Sequence, residues 1–255
     1  TLAGEGLQHQ DGNSHLLAYP VPNLVTYDPA FAFELAVIIR DGIRRMYEEQ
    51  EKVFYYITIM NENYPMPPMP EGAKAGILKG MYLYKNGKSD ALELKANLLG
   101  SGTIMNETLK AAEILEEKYG VSTNVYSVTS YKELQRDALD VERHNLLHPD
   151  KEKTPYVSTV IQNDGVIVAA SDYVKTLPDS ISKWLPKRLF TLGTDGFGRS
   201  EGRNELRDFF EVDAKHIVTA TLYALYKDGK YKLADLKKAM KEQGIDANKL
   251  NPMIS

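Results

Sequence analysis

The sequence contains no cysteine, which excludes disulfide bonds and thiolate metal sites. It also carries no excess of positive charge, since 31 Lys and Arg stand against 35 Asp and Glu and give a formal net charge of −4. Nucleic-acid-binding domains usually present a basic surface, so we expect no nucleic-acid partner. No apolar run approaches the length of a membrane span, so we expect no membrane partner. A cysteine-free chain of this kind fits a reducing cytoplasm, which is the predicted location.

The beginning of the chain also lacks the features of a targeting segment. Thr1 is followed by a polar, glycine-rich stretch with no initiator methionine, no basic region and no apolar core. We therefore expect no signal peptide. A polar, glycine-rich start is typical of a loop inside a polypeptide, so we expect the chain to be a piece of a longer protein.

A proline-rich segment divides the chain into two parts. It covers residues 61–70 and has four prolines in its last six positions. Proline fixes φ and removes a backbone donor, so neither a helix nor a central strand can continue here. We predict a stiff, extended interdomain linker, with one domain part in residues 1–70 and another in 71–255.

Before this linker, Asp28 and Pro29 are typical of a helix N-cap and first turn, and apolar residues follow at helical spacing as far as Met46. The run 53–59 predicts a buried strand. Beyond the linker, strands and helices alternate, which predicts a three-layer α/β domain. The predicted strands are 92–98, 124–128 and 166–170, and the predicted helices are 104–119, 131–142, 213–227 and 233–243.

Two motifs suggest chemistry that their surroundings do not support. The strand–Gly100-Ser101-Gly102–helix step would suit a dinucleotide, but Met105 stands where the fingerprint needs a third glycine. A tight turn is therefore the favoured interpretation. His144 and His148 are four residues apart, as in some zinc sites, but no third ligand accompanies them and Pro149 ends the helix. Surface or capping roles are favoured, and no metal ligand is predicted.

The segment Thr194–Ser200 contains Asp-Gly-Phe-Gly, which differs in order from the Asp-Phe-Gly motif of kinases. Its glycines are typical of turns. We predict Phe197 to be an anchor and Arg199 to form a salt bridge or an interface contact. A second interpretation of this segment is a binding site for an effector or a partner, and this alternative stays open.

The loop from Gly4 to Gly12 is the strongest candidate for catalysis. Glu5 and His9 lie four residues apart in a segment with little apolar content. An imidazole can donate or accept a proton near neutral pH, so His9 could act on a nearby carboxylate or enolate-like charge. His15 precedes two leucines, and packing is its favoured role.

Several motifs in this order resemble one family. They are Gly4–His9, Tyr27–Ala30, Asn61–Tyr64, Met69–Gly72, Leu99–Gly102, Tyr126–Thr129, Glu142–Arg143, Leu147–Pro149 and Leu192–Ser200. Together they resemble the homodimeric, acetyl-transferring pyruvate dehydrogenases, which are transketolase-like thiamine-diphosphate enzymes. The resemblance covers essentially the whole chain.

The resemblance implies that residues 1–70 are the last part of a pyrimidine-binding domain. It implies that residues 71–255 are a transketolase C-terminal-like domain, α/β with a mixed sheet. The implied reaction is decarboxylation of pyruvate on thiamine diphosphate, followed by reductive acetylation of a lipoyl group. His9 and Glu5 are implied to line the active-site channel, with His9 contacting the substrate and Glu5 ordering polar groups and water.

The implied cofactors are thiamine diphosphate and Mg²⁺, whose main ligands belong to family segments that precede Thr1. No cofactor ligand can therefore be assigned in this chain, which we expect to be inactive alone. The implied partners are a second copy of the chain, a dihydrolipoyl acetyltransferase and pyruvate. The alternative function is a non-catalytic dimerisation or regulatory module. Such a module has no use for the Glu5–His9 loop, so the loop favours the enzyme.

Overall fold

The computed structural model describes residues 1, 3, 6–89, 91–161 and 163–255. Its first part is built on two parallel strands, which pair in register from Leu24 with Phe54 to Tyr27 with Ile57. The elements here are a 3₁₀ turn Leu7–His9, α1 Ser14–Leu17, β1 Leu24–Tyr27, α2 Ala32–Ile43, a π-helical turn Arg44–Glu48 and β2 Phe54–Ile57. The predicted buried strand 53–59 is thus shorter and only half-buried, because β1 is its one partner in the described sheet.

The N-terminus of α2 corrects the prediction made for Asp28. The helix begins at Ala32 rather than at Pro29, because Glu34 supplies the cap. Its Oε2 accepts hydrogen bonds from the backbone N–H of Ala30 at 2.5 Å and of Phe31 at 3.1 Å. These bonds satisfy the backbone donors of the two residues immediately before the helix. Asp28 is left outside the helix, where it is buried.

The proline-rich segment is irregular, as its composition predicts. Residues 58–72 contain no helix or strand. The segment is held along its length, since the Tyr64 hydroxyl donates to the carbonyl of Ala30 and Glu62 pairs with Arg207.

The second part is built on a five-stranded mixed sheet. The strand order is β3-β5-β4-β6-β7, with β3 antiparallel to β5 and the other pairs parallel. The strands are β3 Met81–Lys85, β4 Lys95–Gly100, β5 Ser122–Val128, β6 Val166–Ala170 and β7 Leu189–Leu192. The helices are α3 Ala73–Lys79, α4 Ile104–Lys118, α5 Tyr131–Leu147, α6 Tyr156–Val160, α7 Thr176–Asp179, α8 Arg203–Phe209, α9 Ala214–Lys227 and α10 Leu233–Glu242.

Helices cover both faces of this sheet. Leu98 and Leu99 are adjacent in β4 and therefore point to opposite faces, and each belongs to a different hydrophobic core. The Leu98 core contains residues of α4, α9 and α10. The Leu99 core contains residues of α5, α6 and α7. The predicted three-layer α/β architecture with a mixed sheet is confirmed.

A third core joins the chain on the two sides of the proline-rich segment. It contains Val25, Tyr27 and Ile38 from the first part, and Ala73, Ile77 and Tyr82 from the second. The buried carboxylate of Glu34 adds polar links, because its Oε1 accepts hydrogen bonds from the Tyr82 hydroxyl at 2.7 Å and from Ser127 Oγ at 2.6 Å. The two parts are therefore packed together through apolar and polar contacts.

Candidate functional site

Residues 6–12, called the His9 loop below, lie at the carboxyl edge of the sheet. The segments that follow β6 and β7 hold this loop at its two ends. The backbone N–H of Val174 donates to the carbonyl of Gly12 at 3.0 Å, and the N–H of Gly6 donates to Ser200 Oγ at 3.1 Å. Open α/β sheets bind their ligands at this edge. The fold thus brings the sequence-predicted loop to the place where a site is expected.

His9 ends the 3₁₀ turn of this loop, and its side chain is exposed. Its backbone N–H donates to the carbonyl of Gly6 at 3.2 Å, which closes the turn. Glu5, the other predicted catalytic residue, lies outside the described residues. The catalytic roles of both residues therefore stay predictions, while the position of His9 is a feature of the fold.

Two clefts adjoin the His9 loop. One is about 200 Å³ and includes Leu7, Gln10 and Phe197 in its lining. The other is about 320 Å³ and includes Thr58 and Tyr173. Thr1, Asp11 and Asp172 line both clefts, so the two spaces share a polar wall. His9 is not one of the described residues that line the two clefts. It lies on the loop beside them.

A buried hydrogen-bonded chain of three side chains lies next to the second cleft. Thr58 Oγ1 donates to Asp28 Oδ1 at 2.8 Å, and His15 Nε2 lies 2.9 Å from the same hydroxyl. Thr58 thus links the His15 ring and the Asp28 carboxyl group through one hydroxyl. The rings of Tyr56 and Tyr173 make edge contacts with the His15 ring. The packing role predicted for His15 is confirmed.

Burial shifts the pKa values of His15 and Asp28 in opposite directions. The pKa of His15 is lowered to about 4, mainly by burial, against the opposing charge of Asp11. Burial raises the pKa of Asp28 to about 7, although the hydrogen bond from Thr58 opposes the shift. Asp28 Oδ2 has no hydrogen-bond partner within the described part of the chain. Both shifts favour the neutral forms of the two side chains.

The carboxylate of Asp28 fills the space in front of the Gly100–Gly102 turn. The N–H of Gly102 donates to the carbonyl of Asp28 at 3.2 Å. A Cβ on Gly102 would lie 2.6 Å from Asp28 Oδ2, so only glycine permits this approach. The tight-turn interpretation is confirmed. The sequence pattern gave Asp28 a capping role, and nothing local indicated that it would face a glycine turn far along the chain.

Arg207 of α8 joins the proline-rich segment to the start of α4. Its side chain is 3% exposed. It forms a two-pronged ion pair with Glu62, in which the Nη1–Oε1 distance is 3.2 Å, and its Nη2 donates to Thr103 Oγ1 at 3.1 Å. Burial alone would raise the pKa of Glu62, but the hydrogen bonds from Arg207 and Thr103 hold it below its ordinary value. Sequence reasoning missed this group, whose only trace was Glu62 in one matched motif.

The segment Thr194–Ser200 lies between the His9 loop and the last residues of the chain. The prediction that Phe197 is an anchor is wrong, since 78% of its surface is exposed. Phe197 lies at the rim of the smaller cleft. The guanidinium of Arg199 lies 5.3 Å from the centre of the Phe209 ring and donates to the carbonyl of Ser255. No ion pair of Arg199 occurs among the described residues.

The remaining predicted histidines lie at the end of α5. His144 Nε2 is 3.0 Å from the carbonyl of Lys151, and His148 is the C-cap residue of the helix. Asp208, Asp213 and His216 form a cluster that sequence reasoning did not single out. Lys215 Nζ lies 2.5 Å from Asp208 Oδ1, and His216 Nδ1 lies 2.6 Å from Asp213 Oδ1. The two carboxylates of this cluster therefore already have Lys215 and His216 as partners within the chain.

Two sequence families match the chain. The pyruvate dehydrogenase E1 component middle domain matches residues 1–67, and the transketolase-like TK C-terminal domain matches residues 80–213. The pyruvate dehydrogenase E1 component of Pseudomonas aeruginosa is 50% identical over 99% of this chain and 29% of its own length. That of Escherichia coli K12 is 49% identical over 100% of this chain and 29% of its own length. The sequence-based resemblance is confirmed, and the chain spans less than a third of these relatives.

Solved structures show the same fold at low sequence identity. The transketolase of Leishmania mexicana superposes with a TM-score of 0.62 at 17% identity, over 88% of this chain and 28% of that one. The transketolase of Campylobacter jejuni superposes with a TM-score of 0.63 at 18% identity, over 87% of this chain and 29% of that one. In the described residues, no helix is both long and apolar enough to span a membrane.

Proposed function

The chain belongs to the transketolase-like C-terminal domain family, and from that premise we propose that it is part of a pyruvate dehydrogenase. The proposed enzyme decarboxylates pyruvate on thiamine diphosphate and reductively acetylates the lipoyl group of a dihydrolipoyl acetyltransferase. The observation that carries the proposal is the 50% identity to a pyruvate dehydrogenase E1 component over 99% of the chain. The carboxyl-edge position of the His9 loop supports it.

In this proposal His9 is the residue of the chain that acts on the substrate. Its exposed imidazole stands on a loop fixed at both ends. It donates a proton to, or stabilises the charge of, the pyruvate-derived group, and it assists transfer to the lipoyl sulfur. Glu5 orders nearby polar groups and water.

The diphosphate of the cofactor does not fit the glycine turn of this chain. A helix N-terminus after a glycine turn is the usual place for a phosphate, but the carboxylate of Asp28 occupies that space at Gly102. We therefore propose that thiamine diphosphate and Mg²⁺ bind through other parts of the enzyme. The family matches to residues 1–67 and 80–213 support a division near residue 70. Residues 1–70 would then end the pyrimidine-binding domain, and residues 71–255 would form the C-terminal domain.

The proposed partners are a second copy of the enzyme and the dihydrolipoyl acetyltransferase, and the proposed location is the cytoplasm. A thermal-shift measurement on the isolated chain tests the proposed division of ligands. We expect no change in Tm when thiamine diphosphate and Mg²⁺ are added. A clear, concentration-dependent rise would contradict it, because a ligand stabilises the fold that binds it.

Replacing His9 tests the proposed catalytic role. In the full-length enzyme, His9→Ala should lower the rate of pyruvate oxidation by about 100-fold, which is typical of the loss of a general acid or base. His148→Ala is the matched control, because His148 is also exposed but lies at the end of α5. The control should retain wild-type kinetics, and both variants should keep the wild-type Tm. Wild-type kinetics in His9→Ala would remove His9 from the mechanism.

A further inference from the structure

We propose that the segment Thr194–Ser200 positions the His9 loop for catalysis, and that Gly198 is the positioning residue at its centre. This inference rests on the proposed function, because it assigns a role relative to His9. It gives a function to the one strong motif that the proposed reaction leaves unexplained.

Gly198 lies directly against the two residues that bracket the turn of His9. A Cβ on Gly198 would lie 2.6 Å from Gln10 Cγ and 2.7 Å from the carbonyl oxygen of Leu7, and it would also overlap Gln10 Cβ. Real Cβ atoms do not approach other atoms this closely, so one of the two segments would have to move. The carbonyl of Leu7 is part of the backbone of the turn, because it accepts the N–H of Gln10 at 3.2 Å. Any side chain at position 198 therefore displaces the turn itself.

The same segment also fixes the start of the His9 loop. Ser200 Oγ accepts the backbone N–H of Gly6 at 3.1 Å. The far end of the loop is fixed by Val174, whose N–H donates to Gly12. The His9 loop therefore has fixed contacts before, beside and after His9. The contacts before and beside His9 come from Thr194–Ser200.

A positioning element must itself be fixed, and this segment is held from two sides. On the sheet side, Thr194 Oγ1 donates to the carbonyl of Asp172 at 2.8 Å. Asp195 Oδ1 accepts the N–H of Lys175 at 2.9 Å. On the other side, a Cβ on Gly196 would overlap the carbonyl of Pro252 and lie 3.1 Å from Met253 Cα. The segment is therefore clamped between the residues that follow β6 and the last turn of the chain.

The test is a double-mutant cycle in the full-length enzyme, measured as pyruvate oxidation. Gly198→Ala should lower kcat at least tenfold and change KM for pyruvate less than twofold, because it displaces His9 without removing a binding group. Gly202→Ala is the matched control in the same stretch. Its Cβ would meet only the flexible end of the Glu205 side chain, so it should keep wild-type kinetics. A Gly198→Ala enzyme as active as Gly202→Ala would overturn the positioning role.

The His9→Ala background separates this inference from the proposed function. If Gly198 acts through His9, the variant carrying both His9→Ala and Gly198→Ala should be no slower than His9→Ala alone. Full additivity of the two losses would overturn the inference while leaving His9 catalytic. Unchanged kinetics in His9→Ala would instead overturn the proposed function, and the positioning role with it.

Ser200 supplies a second, milder test that holds even if Gly198→Ala fails to fold. Ser200→Ala removes the acceptor for the Gly6 N–H, and we expect a threefold to tenfold loss in kcat. Ser200→Thr keeps the hydroxyl and should restore activity to within twofold of wild type. Equal activity in Ser200→Ala and Ser200→Thr would overturn the positioning role.

Discussion

At the scale of single residues, Asp28 and His15 show two buried ionisable groups joined through one threonine hydroxyl. The pKa of His15 is lowered to about 4, so it binds a proton more readily in the unfolded chain. Its contribution to stability is complete above its ordinary pKa of about 6.5 and is lost as pH falls toward 4. Asp28 behaves in the opposite way. Its pKa is raised to about 7, so the folded chain retains a proton that the unfolded chain releases.

Substituting Asp28 tests directly whether its raised pKa makes the fold less stable as pH rises. Between about pH 4 and pH 7 the folded chain holds more protons at Asp28 than the unfolded chain, so stability falls as pH rises. Asp28→Asn removes this cost and keeps an oxygen for Thr58. We expect the variant to be more stable than wild type by on the order of 2–4 kcal/mol at pH 8 and nearly equal at pH 4. Urea unfolding at both pH values measures the difference, and a difference that does not change with pH would contradict the assignment.

At the scale of elements, a single ammonium group attaches α5 to the connection between α1 and β1. Lys132 is 4% exposed, and its Nζ donates to the carbonyls of Ala18, Val21 and Leu24 at 2.6–2.8 Å. An ammonium has three protons, so these three acceptors satisfy it completely. Burial lowers its pKa, and the three bonds account for its position inside the protein.

Lys132→Met should therefore destabilise the chain. Methionine keeps most of the apolar stem, but three carbonyls lose charged donors, so we expect a loss of about 2–4 kcal/mol in the free energy of unfolding. Lys237→Met on the exposed face of α10 is the control and should change stability by less than about 0.5 kcal/mol. Urea unfolding of both variants compares them. If Lys132→Met were as stable as Lys237→Met, the three carbonyls would be accepting hydrogen bonds from water instead.

The longer elements could be predicted from the sequence because their periodicity is strong. The helices α4, α9 and α10 and the strand β6 lie close to their predicted ranges. Among the elements missed were β3, β7 and α3, whose four to seven residues are too short to show a period. The helix α5 runs five residues past its predicted end at Glu142, because residues 143–147 still form helical bonds although three of them are polar. Propensity and pattern thus fail where an element is short or polar.

The site was predictable only in part, for a related reason. The polar, glycine-rich composition of the His9 loop indicated function locally. The contacts that fix the loop come from Val174 and Ser200, which lie far along the chain. The position of Asp28 depends in the same way on Thr58 and Gly102. No window of neighbouring residues contains these pairings.

At the scale of the whole molecule, polar links hold the two parts of the chain together across the proline-rich segment. Glu34 bonds Tyr82 and Ser127, and Glu62 pairs with Arg207. Arg207 also lies 3.5 Å from Glu107 Oε1, so it faces two carboxylates. Because the guanidinium is buried, its loss would remove a desolvated cation from both carboxylates, and Glu62 would keep only the more distant Arg203 as a cationic neighbour.

Arg207→Met should therefore cost about 3–5 kcal/mol of unfolding free energy, as for other buried ion pairs that lose one member. Adding Glu62→Gln to Arg207→Met should recover part of this loss, because it removes the negative charge of a carboxylate that has lost its guanidinium partner. A double-mutant cycle by urea unfolding at pH 7 should give a coupling energy above about 1 kcal/mol. A coupling near zero would mean that the two side chains stabilise the fold independently.

The hydrogen bond between Gly6 and Ser200 joins residues 194 positions apart. Closing so long a loop costs conformational entropy before any contact repays it, and such non-local contacts form slowly. The helices and the central strands can form from nearer partners. The His9 loop can be seated only after β6, β7 and the segment behind them have folded. Docking of the His9 loop is therefore expected to be the last step of folding, and to occur only once the chain behind it has reached its native topology.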